Sequence, residues 1–285
     1  MCVTCGCGEG QTTIDGESVA PAHTHADGTT HTHSHEGEHG RDHDHDHDHA
    51  HHHHHHDEPV PGRDAQTIAL EAALLGKNQA LAERNRGWLE GRGVLALNMM
   101  SSPGAGKTTL LERCIRDLQG QVAISVVEGD QATANDARRI RASGAPAVQV
   151  NTGTGCHLEA DMFERALKRL DPARGSLVVI ENVGNLVCPA QFDLGEQARV
   201  VIFSVTEGED KPLKYPHMFS SADVLLLSKT DLLPHLRVDL QLMINNALRV
   251  KPQLKIFPVS AYSGEGLDAW YGWLQQALEA MKAAG

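Results

Sequence analysis

The chain has 285 residues, of which 40% are apolar and only 4% are aromatic, so a large core must rest on aliphatic side chains. The formal net charge is −12, and residues 1–62 alone hold twelve acidic side chains against one arginine, which argues against a nucleic-acid surface built from basic patches. No apolar stretch is long enough to span a bilayer and no secretory signal is visible, so we expect a cytoplasmic protein with no membrane span and no nucleic-acid partner.

Three cysteines, Cys2, Cys5 and Cys7, fall within the first seven residues. In a reducing compartment, cysteines at this density are more typical of metal ligands than of disulfides. Three thiolates and a terminal amine or backbone nitrogen in one plane suit Ni(II) or Cu(II), whereas a tetrahedral set suits Zn(II). The alternative is a group of redox-prone cysteines without a role. The spacing therefore predicts a metal-binding motif over residues 1–7.

Residues 8–62 are low in complexity and hold sixteen of the nineteen histidines. No apolar periodicity runs through them, which predicts a disordered tail. Imidazoles that alternate with aspartates, followed by six in a row, would bind several divalent ions and so store metal. Six consecutive histidines are also typical of an expression tag, but their internal position beside Asp-His repeats favours storage. The predicted storage ligands are His43, His45, His47, His49, His51, His52, His53, His54, His55 and His56.

The ordered region is expected over residues 63–285. A helical pattern begins near Asp64 and ends at Gly91 and Gly93. After it, short apolar runs predict strands near 94–99, 122–127, 147–150, 176–181, 199–205, 224–228 and 255–259. Helical patterns between them predict helices near 106–119, 131–143, 157–170, 237–249 and 266–283. Strands this apolar, separated by helices, indicate an α/β fold with a mostly parallel sheet of about seven strands and helices on both faces.

The segment "SSPGAGKTT" (101–109) joins the first of these strands to a helix, which is the setting that a phosphate-binding loop requires. Small residues let backbone N–H groups converge on phosphate oxygens. Lys107 is expected to reach the β- and γ-phosphates, and Thr108 to bind Mg²⁺. Ser101 stands where the usual pattern has its first glycine. The predicted phosphate-binding residues are Gly104, Ala105, Gly106, Lys107, Thr108 and Thr109.

Two later segments predict that the base is guanine. "SKTD" follows a strand and places Lys229 and Asp231 at its end. An Asp carboxylate can accept from both N1–H and N2–H₂ of guanine, a donor pair that adenine lacks, and the lysine stem can lie on the base. Further on, "PVSAYSGEG" places Ser260 and Ala261 after the last strand, where the Ala261 N–H could meet guanine O6. Together with the phosphate loop, the two segments favour GTP over ATP.

Two acidic residues at strand ends are candidates for the Mg²⁺ site and so for catalysis. Asp130 follows the second strand and Glu181 ends the fourth, three residues before Gly184. Asp130 has an equally good alternative as the N-cap of the helix near 131–143. No glutamine follows Gly184 to position water, and no arginine is placed as a finger. Slow hydrolysis of GTP to GDP is therefore expected unless a partner completes the site.

A further set of metal ligands lies inside the ordered region. Cys156 and His157 are adjacent in "TGTGCHLEA", and Cys188 lies seven residues after Glu181. The adjacent pair could be half of a site that a second copy of the chain or Cys188 completes. The alternative for Cys188 is a small buried apolar residue, which is also the prediction for Cys114.

Together these residues resemble the hydrogenase nickel-incorporation GTPase family, HypB. The resemblance covers most of the chain and rests on the opening "CxxCGCGEG", the His-rich insert, "SSPGAGKTTLL", "EGDxxTxxDAxRI", "TGxxCHL", "ENVGNLVCPAxFDLGE", "SKTDLLP" and "SAxxGEG". It implies a GTP-switched nickel chaperone that forms a GTP-dependent homodimer and acts with a HypA-type metallochaperone. The implied client is the large-subunit precursor of [NiFe]-hydrogenase.

The same resemblance implies two metal sites. It makes Cys2, Cys5 and Cys7 a tight nickel site. It makes Cys156, His157 and Cys188 a second site, for nickel or zinc, near the dimer interface. The wider group to which the family belongs often carries a lysine at the second position of the loop, where this chain has Ser102. How a dimer would complete hydrolysis is therefore left open.

Two other functions fit parts of the sequence. The sequence also resembles the urease-accessory GTPases, which are similar to a His-tailed, nickel-handling member of this group. Their pattern, however, has a proline between the Cys and the His. Here the two residues are adjacent, and the opening cysteines favour the hydrogenase function. The second alternative is a nickel storage protein with a vestigial nucleotide site. The intact Lys107, Thr108 and Asp231 argue against it.

Overall fold

The computed structural model describes residues 12–18, 22–24, 30–32, 65–131 and 135–284. The opening cysteines and the ten storage histidines lie outside the described residues, so the metal motif of residues 1–7 and the storage tract stay predictions. Within the described part of the chain, no helix is long and apolar enough to cross a membrane.

Eleven strands and eight α-helices are described in these ranges. In chain order, the strands are β1 (Thr13–Ile14), β2 (Glu17–Ser18), β3 (Ala22–Thr24), β4 (Thr30–Thr32), β5 (Leu95–Ser101), β6 (Ile124–Asp130), β7 (Ala147–Asn151), β8 (Leu177–Glu181), β9 (Ala198–Ser204), β10 (Val224–Ser228) and β11 (Lys255–Pro258). The helices are α1 (Ala65–Glu90), α2 (Lys107–Asp117), α3 (Asn135–Ala142), α4 (Ala160–Leu170), α5 (Lys211–Lys214), α6 (Pro216–Ser221), α7 (Leu240–Val250) and α8 (Leu267–Ala284).

The centre of the molecule is a sheet of seven parallel strands in the order β11-β10-β9-β5-β8-β6-β7. The prediction of a mostly parallel α/β sheet with about seven strands is confirmed. All seven strands lie within three residues of the predicted ranges. Six of them are runs of mostly buried residues, and the edge strand β11 is the more exposed exception. The carboxyl ends of these strands share one edge, which we call the carboxyl edge, and the predicted site residues follow strands there.

Helices cover the sheet through apolar faces. On α2, Leu110, Leu111 and Ile115 are buried against the sheet together with Cys114, which confirms that Cys114 belongs to the core. Trp270 on α8 is fully buried in the same cluster. Burial removes the Cys114 thiol from water and raises its pKa to about 11, so this cysteine is a poor metal ligand at neutral pH.

Residues 12–18 differ from the predicted disordered tail. β1 and β2 form a hairpin, and β1 pairs antiparallel with β7 at the outer edge of the sheet. The turn residues Asp15 (φ 49°) and Gly16 (φ 82°) both have positive φ, as a two-residue Asp-Gly hairpin turn requires. Ile14 is only 5% exposed. A single apolar residue beside an Asp-Gly pair is too short a signal for periodicity analysis.

Two further sets of elements were not predicted. β3 and β4 pair antiparallel in a separate two-stranded sheet within the His-rich segment. The helices α5 and α6 contain four and six residues, which is too short to show a helical period. Both begin with a proline in the first turn, where its missing N–H costs nothing.

Candidate functional site

The predicted phosphate loop lies between β5 and α2, at the centre of the carboxyl edge. Gly104 (φ 74°) and Gly106 (φ 97°) both adopt the left-handed region, which explains why glycine occupies these positions. α2 begins at Lys107, so its free backbone N–H groups open onto the loop. The Lys107 ammonium donates to Ser101 Oγ at 2.7 Å, so the residue that replaces the usual first glycine holds the lysine in the loop. Burial lowers the pKa of Lys107, and the Glu181 carboxylate opposes that shift.

The candidate Mg²⁺ residues Thr108 and Glu181 are in contact. Thr108 Oγ1 donates to Glu181 Oε1 at 2.6 Å. Glu181 is 4% exposed, and its second oxygen, Oε2, has no hydrogen-bond partner among the described residues. Burial raises the pKa of Glu181, and the hydrogen bond from Thr108 opposes this effect. A buried carboxylate with one unpaired oxygen is typical of a site that a cation completes.

A second buried carboxyl, Glu128, was not predicted. The parallel register places Glu128 on β6 directly beside Glu181 on β8. Glu128 is 2% exposed, and its Oε2 also lacks a partner within the described part of the chain. Burial raises the pKa of Glu128 to about 9, and repulsion from Glu181 adds to the shift. The available signal was an acidic residue inside an otherwise apolar strand, "ISVVEGD".

Asp130 ends β6, and α3 is described from Asn135 onward. The alternative that Asp130 caps this helix stays a prediction, because residues 132–134 lie outside the described residues. Its Oδ1 accepts from the Gln131 backbone N–H at 2.7 Å, and its charge contributes to the raised pKa of Glu128. Asp136 on α3 was missed at the sequence level, although its charge also acts on Lys107 and Glu128. The Mg²⁺ role of Asp130 stays a prediction.

The structure brings the predicted base-binding residues together with one another and with the phosphate loop. Lys229 has a left-handed backbone (φ 62°) and its ammonium donates to the Gly104 carbonyl at 2.7 Å, across the phosphate loop. Ser260 is fully buried, and its hydroxyl donates to Asp231 Oδ1 at 2.6 Å. The serine therefore orients the carboxylate that is expected to accept from guanine. Ala261 follows in the same loop, and its carbonyl accepts from an arginine on α2.

A lysine that the sequence did not suggest contacts Ser102, the second residue of the loop. Lys211, at the start of α5, donates its ammonium to Ser102 Oγ at 2.8 Å and to the Glu207 carboxylate. Ser102 also donates to Glu207. Glu207 itself is held by the Ser204 backbone N–H at 2.8 Å. The chain thus places a positive charge beside Ser102 from a distant element, about one hundred residues further along.

The predicted ligands Cys156, His157 and Cys188 form one cluster, hereafter the Cys-His-Cys cluster. Its three ligand atoms all lie within 4.8 Å of one another. The Cys156 and Cys188 sulfurs are 2.9 Å apart, and Cys156 Sγ is 3.6 Å from His157 Nδ1. One chain brings all three candidate ligand atoms together, so Cys188 is the third candidate ligand beside the Cys-His pair. Two thiols and an imidazole suit nickel or zinc.

The imidazole of His157 is fixed by its surroundings. Its ring stacks on Phe192 with centroids 3.9 Å apart, which directs Nδ1 toward Cys156. Nε2 is buried without a hydrogen-bond partner among the described residues, 3.8 Å from Glu159 Oε1. Burial lowers the pKa of His157 to about 4, so the ring is neutral at pH 7 and able to bind metal.

One short segment joins the two candidate sites. It runs from Glu181 to Cys188, and its Gly184 lies against the phosphate loop, where an added Cβ would be 3.3 Å from Pro103. Asn182 Oδ1 accepts from the Leu158 N–H at 3.2 Å, next to His157. Asn185 Nδ2 donates to the Cys156 carbonyl at 3.4 Å. A shift of this segment would therefore change both the surroundings of Glu181 and the Cys-His-Cys cluster.

Comparison with known proteins decides the family. Residues 95–258 match the family model "CobW/HypB/UreG, nucleotide-binding domain". The hydrogenase maturation factor HypB of Rhizobium leguminosarum bv. viciae is 57% identical over 217 residues, which cover 76% of this chain and 73% of that protein. The chain belongs to the HypB branch of the CobW/HypB/UreG family. HypB of Escherichia coli strain K12 is 46% identical over 285 residues, covering 96% of this chain and 98% of that protein.

Solved HypB structures share the fold. HypB of Archaeoglobus fulgidus matches with a TM-score of 0.67 and 39% identity, covering 72% of this chain and all of that one. HypB of Helicobacter pylori, solved in complex with nickel, matches with a TM-score of 0.67 and 38% identity, covering 72% of this chain and 96% of that one. The resemblance to HypB that the motifs indicated is therefore confirmed.

Proposed function

We propose that this HypB-family chain is a GTP-hydrolysing nickel metallochaperone that serves the insertion of nickel into [NiFe]-hydrogenase. The observation that carries this proposal is the continuous segment from Glu181 to Cys188, which links Thr108 beside the phosphate loop to the Cys-His-Cys cluster. A protein that only stored nickel would need no such link. The printed names of the relatives, hydrogenase maturation factors, support the choice of client.

The nucleotide site would bind GTP and hydrolyse it slowly. Asp231, oriented by Ser260, accepts from the guanine ring, and the phosphate loop receives the phosphates at the start of α2. Lys107 neutralises charge on the β- and γ-phosphates. Thr108 and Glu181 would hold Mg²⁺, because this ion prefers oxygen ligands. The Thr108 hydroxyl and the Glu181 carboxylate offer such ligands, and Oε2 of Glu181 has no other partner among the described residues. When bound, Mg²⁺ supplies charge stabilisation for phosphoryl transfer.

The metal site would carry nickel as cargo rather than as a resident cofactor. Two thiolates and a neutral imidazole are ligands that nickel and zinc both accept, so zinc is the alternative occupant. The Helicobacter pylori relative was solved in complex with nickel, which supports nickel here. The opening Cys2, Cys5 and Cys7 would form the tighter nickel site, and the histidine tract would store further ions.

The partners follow from the same proposal. A GTP-dependent homodimer would bring two chains together, and a HypA-type metallochaperone would exchange nickel with the chain. The large-subunit precursor of [NiFe]-hydrogenase would be the final recipient. The urease-type alternative has one point of support, because a Helicobacter hepaticus relative at 37% identity is named as a hydrogenase/urease maturation factor.

A paired assay tests the proposed function. GTP turnover with and without Mg²⁺ is measured on the full chain, and thiolate-to-nickel charge-transfer absorption is measured on the same sample. We expect slow, Mg²⁺-dependent turnover and a band that loses part of its intensity in Cys156→Ala. The histidine tract cannot produce this band, since it offers no thiolate. Nickel binding without any GTP turnover would instead support the storage protein with a vestigial nucleotide site.

A further inference from the structure

The imidazole of His157 is held in one orientation within the Cys-His-Cys cluster. One face of the ring stacks on Phe192, and Nδ1 lies 3.6 Å from Cys156 Sγ. Only 10% of the side chain is exposed, so a closely packed ring has little room to turn over. Nδ1 is therefore the nitrogen that the chain presents to a metal bound by Cys156 and Cys188.

Metal binding through Nδ1 decides where the proton of the imidazole must lie. A neutral imidazole carries one N–H group, and the nitrogen that binds a metal gives its lone pair, so the proton belongs on Nε2. Nε2 of His157 is buried and has no hydrogen-bond partner among the described residues. A buried N–H group without an acceptor costs free energy. This cost favours the other tautomer, in which a proton on Nδ1 blocks the metal position.

An acidic side chain stands close to this buried nitrogen. Glu159 Oε1 lies 3.8 Å from His157 Nε2, which is about 1 Å longer than a hydrogen bond between such atoms. The Glu159 side chain is 49% exposed, so it is free to rotate through the remaining distance. In the part of the chain that the structure describes, no lysine or arginine forms an ion pair with this carboxylate. Glu159 can therefore supply the acceptor that Nε2 lacks.

The start of α4 does not use the Glu159 carboxylate. Glu159 is the N-cap residue of this helix, a position where a side chain often accepts from the first turn, but its side chain makes no such bond. Asn78 on α1 satisfies a free N–H group of the first turn instead, because its Oδ1 accepts from the Ala160 N–H at 2.9 Å. The Glu159 backbone carbonyl accepts from the Phe163 N–H at 3.0 Å. A change of the Glu159 side chain therefore leaves the contacts that begin α4 in place.

We infer that Glu159 is a positioning residue of the Cys-His-Cys cluster: its carboxylate accepts from Nε2–H of His157 and so keeps Nδ1 free to bind nickel. The inference rests on the proposed nickel function and adds a residue that sets the strength of binding. A carboxylate that accepts from the outer nitrogen of a metal-binding imidazole fixes the tautomer and makes the ring a stronger ligand. Loss of such an acceptor typically lowers metal affinity roughly 10- to 100-fold.

The test uses a full-length starting chain in which the three opening cysteines are changed to Ala, so that thiolate-to-nickel absorption reports only on the Cys-His-Cys cluster. Glu159→Ala, Glu159→Gln and Asp161→Ala are each added to this chain. Asp161 is the matched control, because it lies in the first turn of α4, its side chain is 42% exposed and it pairs with Arg165 rather than with the cluster.

Three quantities are measured on each chain. Nickel affinity is obtained from the absorption band during titration with Ni²⁺ against a competing chelator. The position of the imidazole proton is obtained from the ¹⁵N chemical shifts of the ring in the metal-free chain at pH 7, with the His157 signals assigned as those lost in His157→Gln. GTP affinity, measured by calorimetry, reports whether the fold is intact.

We expect Glu159→Ala to bind nickel roughly 10- to 100-fold more weakly than the starting chain and to carry the His157 proton on Nδ1 instead of Nε2. Glu159→Gln should lose less affinity, because its amide oxygen accepts from the same N–H group but lacks the negative charge. Asp161→Ala should behave as the starting chain, and GTP affinity should be the same in all of them.

Three results would contradict this expectation in different ways. Unchanged nickel affinity in Glu159→Ala, or an equal loss in Asp161→Ala, would overturn the inference. Weaker binding in Glu159→Ala with the proton still on Nε2 would also overturn it, because the effect would then be only structural. Absence of the absorption band in the starting chain would contradict the proposed nickel function itself, and the inference with it.

Discussion

Two parts of the predicted nucleotide site are built in different ways. The base end consists of Lys229, Asp231 and Ser260, and the cation edge consists of Glu128 and Glu181. At the base end, the side chains that are expected to contact or orient the base already have partners: Lys229 donates to Gly104, and Ser260 donates to Asp231. At the cation edge, Glu128 and Glu181 are buried side by side, and each keeps one oxygen without a partner among the described residues. We therefore expect the first arrangement to be ready for a base, and the second to be stabilised by a proton or a bound cation.

This difference indicates which end can act as a switch. A region whose hydrogen bonds are satisfied has little to gain from moving. A pair of buried carboxyl groups with raised pKa values would change its proton content and charge on binding the proposed Mg²⁺. The segment from Glu181 to Cys188 begins at this second region, so the Cys-His-Cys cluster is connected to the part of the site that we expect to respond most to the nucleotide.

The largest effect is expected from a substitution that disrupts the base end. Asp231→Asn removes the acceptor for two guanine N–H groups, so GTP should bind about 100- to 1,000-fold more weakly. Xanthosine triphosphate should gain affinity, because the Asn amide can donate to its additional keto oxygen. Calorimetric titration with both nucleotides measures this. Asp239→Asn, at the exposed N-cap of α7, is the control. Equal GTP affinity in Asp231→Asn and wild type would refute the base assignment.

The next largest effect is expected from a substitution that disrupts the cation edge and leaves the base end intact. Glu181→Gln removes the charge that Thr108 supports, so GTP hydrolysis should fall on the order of 100-fold and lose its dependence on Mg²⁺. GTP affinity measured without Mg²⁺ should stay within a few-fold of wild type, unlike in Asp231→Asn. Single-turnover hydrolysis over a Mg²⁺ series gives the result. If Mg²⁺ dependence survives in Glu181→Gln, the cation has other ligands.

The proton on Glu128 predicts a pH dependence of stability without Mg²⁺ and nucleotide. The pKa of Glu128 rises from 4.5 to about 9 on folding, so between these values the folded chain holds a proton that the unfolded chain has released. Stability therefore falls as pH rises through this window, by up to about 1.4 kcal/mol per pH unit. Glu128→Gln mimics the protonated form. Between pH 5 and pH 7, its free energy of unfolding should fall by about 2 kcal/mol less than that of wild type.

Urea unfolding at the two pH values measures this difference. Glu90→Gln, at an exposed position near the end of α1, is the control and should follow wild type. Parallel pH profiles of wild type and Glu128→Gln would show that Glu128 is ionised in the folded chain. A bound proton would then not distinguish the cation edge from the base end.

The smallest of these effects concerns Lys211. Lys211→Ala removes a positive charge from Ser102 and Glu207 beside the phosphate loop, and should lower the rate of GTP hydrolysis roughly ten-fold. Lys214→Ala, three residues along the same helix and exposed, should have no effect. Steady-state hydrolysis by both variants separates a local role of Lys211 from a general effect of charge. An unchanged rate in Lys211→Ala would show that Ser102 needs no lysine.

The sequence predicted what is local and missed what the sheet register brings together. The phosphate loop, Asp231 and the Cys-His pair each sit in a contiguous motif, so their chemistry could be inferred from spacing. Glu128 acquires its meaning only beside Glu181 on a neighbouring strand. Lys211 reaches Ser102 from a helix of four residues.

The docked hairpin shows the same limit. Its turn contains the Asp-Gly pair that favours hairpins, but the surrounding composition predicted disorder for the whole of residues 8–62. Only the edge of β7, with Arg141 and Arg169, gives Asp15 its partners. A receptor that lies more than 120 residues further along the chain cannot be identified from local pattern alone.

The central claim is that the nucleotide state controls the Cys-His-Cys cluster through the segment from Glu181 to Cys188. The direct measurement is nickel affinity in a full-length chain with Cys2, Cys5 and Cys7 changed to Ala, with GDP and with a GTP analogue. Charge-transfer absorption reports only the thiolates of the cluster. We predict affinities that differ about ten-fold, or about 1.4 kcal/mol, with the same factor when nucleotide is titrated against nickel. Cys188→Ala should abolish the difference while GTP still binds. Identical nickel affinities in the two nucleotide states would contradict the claim.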